Sequence, residues 1–135
     1  MTLTDIASTN TNVLRRAYDA FAKGDIPTVL GLLADNIRWH VPGRSPLSGD
    51  YTGHEGVLDF FGRCHRLSEG TLRVIPTEFL ADGERVIALC TVSAERHGVA
   101  WSSPEVHVWR VIAGRAAEFV EFQSDQQTED EFWMG

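Results

Sequence analysis

The late segment EVHVWRVIAGRAAEFVEFQ, residues 105–123, places one histidine close in sequence to several carboxylates. A histidine with a pKa near 6.5 gives and takes protons near neutral pH, and a carboxylate beside it fixes its tautomer. Such general acid–base chemistry accelerates reactions by about 10² to 10⁴ and serves enolisation, aldol cyclisation or water activation. Whether His107 meets Glu105 and Glu121 depends on strand register, because a slip of one residue reverses every side chain. A two-residue type I′ turn at Ala113-Gly114 requires positive φ at Ala113, which alanine resists. A type I turn with Gly114 in a G1 bulge avoids that cost. This predicts pairing of Val111 with Arg115, so that Glu105, His107 and Trp109 share a face with Ala117, Phe119, Glu121 and Gln123. His107, Glu121 and Glu105 are therefore the candidate proton carriers. The competing reading of His107 is a satisfied core histidine.

The walls of a pocket are sought among the aromatic residues. Trp39 and Val41 alternate onto one face of an early strand and His40 onto the other, which makes Trp39 the better wall. Phe61 lies on the apolar face of a helix, and Trp109, Phe119 and Gln123 follow His107 inward by the register above. Tyr51, beyond a Pro-Gly loop, is placed to bring its phenol to the pocket mouth or to pack locally. Tyr18 is a further candidate donor on the first helix, although its spacing also suits a core position. Arg44 at the rim could meet an anionic ligand. His54 and His65 lack a third ligand and an HExxH spacing, so no metal site is expected, and no cofactor.

These residues must be positioned by regular elements. The spacing of Val13, Leu14, Ala17, Tyr18 and Phe21 predicts a helix capped by Asn10, Thr11 or Asn12 and ended by Lys23-Gly24. Asp25 caps a short second helix with Pro27 in its first turn. Residues 37–41 read as a brief strand ended by Pro42-Gly43, and the segment 42–52 reads as a loop bordering the cavity opening, more mobile than the sheet. A third helix carries Val57, Phe60, Phe61, Cys64 and Leu67 on one face. The period then changes to two over 71–81, 85–96, 101–112 and 115–123, a four-strand meander.

Composition limits the partners. The 135 residues, 43% hydrophobic and 23% charged, suit a single domain with a sizeable core. A net charge of −7, from 12 basic and 19 acidic residues, argues against nucleic acid. The start MTLTDIASTN lacks the features of a signal peptide, and no apolar run is long enough for a membrane span, which predicts a cytoplasmic protein. Cys64 and Cys90 both lie in apolar patterns and are expected as buried thiols. Apolar residues on both faces of the late strands, Val106 and Val108 against Trp109 and Phe119, predict a homodimer through the outer sheet face.

Helices followed by an antiparallel meander predict an α+β domain, three N-terminal helices packed on a strongly bent sheet. In AYDAFAKGDIPTVLGLLADNIRWHVPG, SGDYTGHEGVLDFF and EVHVWRVIAGRAAEF the chain resembles the NTF2-like superfamily, specifically its SnoaL-like branch. The resemblance implies a cone enclosing a pocket. The ketosteroid isomerases of that superfamily hold a tyrosine, an aspartate base and a second acid at positions that match Ala17, Val41 and His107 here, so their machinery is not expected. The SnoaL-like polyketide cyclases imply an acid–base carboxylate in the last strands, where this chain offers Glu118, Glu121 and Asp125. Two readings follow: a cofactor-free enzyme for a small, largely apolar carbonyl or polycyclic ligand, or a binding or assembly module with the same cavity.

Overall fold

A computed structural model describes residues 2–135. The chain runs α1 (Leu3–Ala22), α2 (Ile26–Gly31), β1 (Leu33–Val41), β2 (Gly49–Thr52), α3 (Gly53–Leu67), β3 (Arg73–Asp82), β4 (Arg85–Arg96), β5 (Val99–Ile112), β6 (Arg115–Gln123) and α4 (Gln126–Met134). The six strands form one sheet in the order β2-β1-β6-β5-β4-β3, antiparallel throughout except where β1 runs parallel to β6. Helices α1 and α3 lie over one face, and between them and the sheet sits an apolar core from Leu14 and Val57 to Val86 and Val111. The expected α+β architecture with helices on a mainly antiparallel sheet is what forms.

Local chemistry sets several boundaries differently from the sequence expectations. The first helix begins at Leu3 rather than near Asn12, because Thr2 and Asp5 form a reciprocal capping box: each backbone N–H is bonded by the other's side chain at 3.1 Å. Asn10 lies inside the helix, where its amide donates to the Gly83 carbonyl at 3.0 Å. Asp25 caps α2 as expected, accepting from Thr28 N–H. Part of the loop 42–52 is the strand β2, paired with β1 so that Trp39 faces Tyr51. The remainder is pinned by Ser48, whose hydroxyl accepts from Ser45 N–H and donates to the Pro42 carbonyl. A fourth helix, not anticipated, follows β6.

The turn at Ala113-Gly114 is the two-residue form that alanine was expected to resist. Both residues have positive φ, 51° and 80°, and Ile112 pairs with Arg115. The irregularity lies two residues later: Val111 faces Ala116 but Arg110 faces Glu118, leaving Ala117 as an extra residue in β6. That bulge restores the face assignment by another route, with His107 opposite Glu121, Trp109 opposite Phe119 and Glu105 opposite Gln123.

Candidate functional site

A cavity of about 90 Å³ lies between the sheet and the helices. Aromatic rings wall much of it. Trp39 of β1 stacks on Phe119 of β6 at 3.9 Å between centroids, and Trp109 of β5 meets Trp39 edge-on at 5.5 Å. Phe60 and Phe61 of α3 pack against Trp39 from above, each at 5.7 Å.

The polar groups are gathered along one side. His107 is 5% exposed, with Nε2 2.8 Å from Glu105 Oε1 and Nδ1 2.6 Å from Tyr18 Oη. Trp109 Nε1 donates to the same phenol oxygen at 2.9 Å, and Cys90 Sγ lies 3.5 Å from Nδ1. Tyr18 Oη accepts from Trp109 and keeps its own hydrogen for Nδ1 or for Cys90 Sγ; with that hydrogen on Nδ1, the imidazole carries its own on Nε2 and donates to Glu105. Burial, and then the neighbouring Cys90, raise the Tyr18 phenol well above its ordinary range, which keeps it a donor.

Three buried carboxyls face this cavity. Burial pushes Glu105 up to about 7; burial and then the charge of Glu105 push Glu121 to about 8. Glu121 Oε2 accepts from Gln123 Nε2 at 2.7 Å. The third is Glu129 of α4, pushed to about 9 by burial and then by Glu121 and Glu105. Its Oε1 accepts from Trp133 Nε1 at 3.3 Å, whereas its Oε2 is buried without a partner. No lysine or arginine is found among the described residues lining the cavity.

Of the residues singled out from sequence, His107, Glu105, Glu121, Trp39, Tyr18, Phe61, Trp109 and Phe119 line this one cavity. Tyr51 and Gln123 do not. Tyr51 packs on Phe60 and spends its hydroxyl on the Leu47 carbonyl, while Gln123 stands behind the cavity and donates to Glu121. The loop after β1 contributes Leu47 to the lining, whereas Arg44 stands exposed with its backbone N–H bonded to Asp130. His40 pairs with Asp50 on the exposed side, and His54 bonds the Leu33 carbonyl, apart from His65. Cys64 and Cys90 are both buried free thiols.

Sequence reasoning missed Glu129 and Trp133, because α4 was not recognised. Its signal was present in Asp125, which caps the helix by accepting from Thr128 N–H, and in the Glu129/Trp133 spacing of four. The helix is tied down by Arg96, whose guanidinium donates to the Phe132 carbonyl at 2.6 Å and the Leu67 carbonyl at 2.7 Å.

A bent mixed sheet wrapped by helices around an aromatic cavity is the NTF2-like fold. Residues 14–119 match the SnoaL-like domain, and the chain belongs to that family. It is 29% identical over 123 residues to the uncharacterized protein Rv0034 of Mycobacterium tuberculosis, covering 90% of this chain and 94% of that one. Among solved structures it is similar to Bal32a from a soil-derived mobile gene cassette, with 34% identity, TM-score 0.91 and coverage of 95% and 98%. TerC, co-crystallized with polyporic acid, shares the fold at 24% identity and TM-score 0.85, covering 94% and 99%. The family match stops short of Glu121 and α4, so three side chains of the cavity lie beyond it.

Proposed function

We propose that the protein is a cofactor-free general acid–base enzyme acting on a small, largely apolar carbonyl or polycyclic compound, of cyclase, isomerase or hydrolase type. The observation that supports this best is the hydrogen-bonded series Trp109, Tyr18, His107, Glu105, which ends in an aromatic cavity. In this reading the Glu105–His107 pair takes a proton from carbon or water, and Glu121, opposite His107, returns one to the developing oxygen or carbon. Trp39, Trp109 and Phe119 hold the flat part of the ligand, and exclusion of water strengthens each polar contact. The fold-neighbour TerC, crystallized with polyporic acid, is in keeping with an organic ligand in such a cavity.

The test is exchange of α-protons in a panel of monocyclic and bicyclic aryl ketones in deuterium oxide, followed by NMR. The wild-type protein should accelerate exchange in at least one, and His107→Ala should lower that rate about 10²-fold or more while the circular dichroism spectrum is unchanged. A folded His107→Ala variant with undiminished exchange removes His107 from the mechanism. Saturable ligand binding with no exchange across the panel favours the binding-module reading instead.

The proposed assembly is a homodimer through the outer sheet face. Two apolar rows cross that face in register: Leu80, Ile87, Val108 and Val120, then Leu89, Val106 and Phe122. Phe122 is 53% exposed and Leu80 50%, an apolar surface with no covering helix. Light scattering at micromolar concentration should give twice the chain mass, and Val108→Glu should halve it. A monomeric wild-type mass would sink this assembly.

A further inference from the structure

We propose that Glu105, His107 and Glu121 also form a three-ligand site for a divalent first-row transition-metal ion. One ligand atom from each lies within 4.8 Å of the others, and all three residues are buried. Ligands at about 2.1 Å from one ion are about 3.0–3.4 Å apart when adjacent and about 4.2 Å apart when opposite, so side-chain movements of about 1–2 Å close the set. The 2.8 Å spacing of His107 Nε2 and Glu105 Oε1 already approximates two adjacent ligands.

The groups behind the trio are those a metal site needs. Imidazole ligands are oriented by a partner on the other ring nitrogen, and here Tyr18 Oη stands 2.6 Å from Nδ1. With a metal on Nε2 the ring hydrogen sits on Nδ1 and donates to Tyr18, whose own hydroxyl turns toward Cys90 Sγ. Glu121 is held in turn by Gln123. Two carboxylates neutralise a divalent charge in a cavity whose described lining offers no cationic side chain. An independent sign comes from α4: Glu129, 6% exposed and lining the same cavity, has an Oε2 with no partner, a polar atom that water or hydroxide on a bound ion would satisfy whether or not the carboxyl is protonated. One imidazole with two carboxylates suits Zn²⁺, Mn²⁺ or Fe²⁺ better than Ca²⁺ or Mg²⁺, which prefer oxygen alone.

The ion would occupy Nε2 and so compete with proton transfer there. The proposal uses the same three side chains as the acid–base reading but not their proton transfer, so the two fail separately. The experiment is titration of the chelator-treated full chain with Co²⁺, followed by its visible d–d bands, and with Zn²⁺ by calorimetry. The expected result is saturation near one equivalent, weakened about 10-fold or more by His107→Ala or by the isosteric Glu121→Gln. Tyr18→Phe should weaken it about 10- to 100-fold by releasing Nδ1, while the surface variant His40→Ala leaves it unchanged. No saturable binding below about 1 mM, or binding that survives both His107→Ala and Glu121→Gln, overturns the proposal even if proton exchange is intact. Metal binding without catalysed exchange would sink only the acid–base reading.

Discussion

Phe119→Ala should cost about 3–5 kcal/mol, a large share of the roughly 5–15 kcal/mol that holds a small domain folded. The ring is 3% exposed, stacks on Trp39 at 3.9 Å between centroids and meets Trp109 at 4.7 Å and His107 at 5.0 Å. It also joins two strands distant in the chain, because β1 runs alongside β6 with Trp39 opposite Phe119. Deleting Ala117 should be far milder. With Ile112 opposite Arg115 and Val111 opposite Ala116, loss of the extra residue brings Glu118 directly opposite Arg110 and leaves Trp109 facing Phe119 and His107 facing Glu121, so the bulge goes and the faces stay. Thermal melts followed by circular dichroism compare the two. A Phe119→Ala variant melting at the wild-type temperature would show that this ring does not hold the core, and an Ala117 deletion that fails to fold would show that the bulge does more than set the register.

The second large effect is a loss of stability as pH rises. In the folded chain Glu129 is held protonated up to about 9, against 4.5 when unfolded, by burial first and then by Glu121 and Glu105. The groups nearest in charge are Glu121 on β6, Glu105 on β5 and Asp130 on its own helix, with His107 the one basic side chain and no lysine or arginine among the described residues lining the cavity. Between those two pH values the folded state binds more protons than the unfolded one, so its advantage is full below about 4.5 and shrinks as pH climbs toward 9. Each extra bound proton contributes a slope of up to about 1.4 kcal/mol per pH unit. Urea denaturation from mildly acidic to alkaline pH should record the decline. Glu129→Gln, which cannot ionise and keeps an oxygen for Trp133, should flatten the slope and stabilise the alkaline end by about 1–2 kcal/mol. A wild-type stability that is level across this range, or an unaltered slope in the variant, would show that Glu129 ionises without penalty.

Both effects concern contacts that the sequence displays only in part. By itself it determined the elements with strong local signals: the α1 stripe of Val13, Leu14, Ala17 and Tyr18, the Asp25 cap with Pro27, and the period of two through the late strands. Trp39 facing in and His40 facing out also followed from alternation alone. The meeting of His107 with Glu105 and Glu121 was legible as a face, yet for a reason that differs from the one that operates. Ala113 accepts a positive φ, and the bulge falls at Ala117, where no glycine or proline marks it. Local preference could not decide this, because the roughly 1–2 kcal/mol of strain at one alanine is smaller than the burial of Phe119 and Trp109 that the combined register secures. Tertiary structure likewise turned Tyr18 from a helix-face residue into the partner of His107, eighty-nine positions away. It also brought Glu129 and Trp133 back over the cavity through the hold of Arg96 on Phe132 and Leu67. Periodicity reports which side of an element is apolar; what an inward side chain meets depends on closure of the sheet, and that is set by packing between elements distant in the chain.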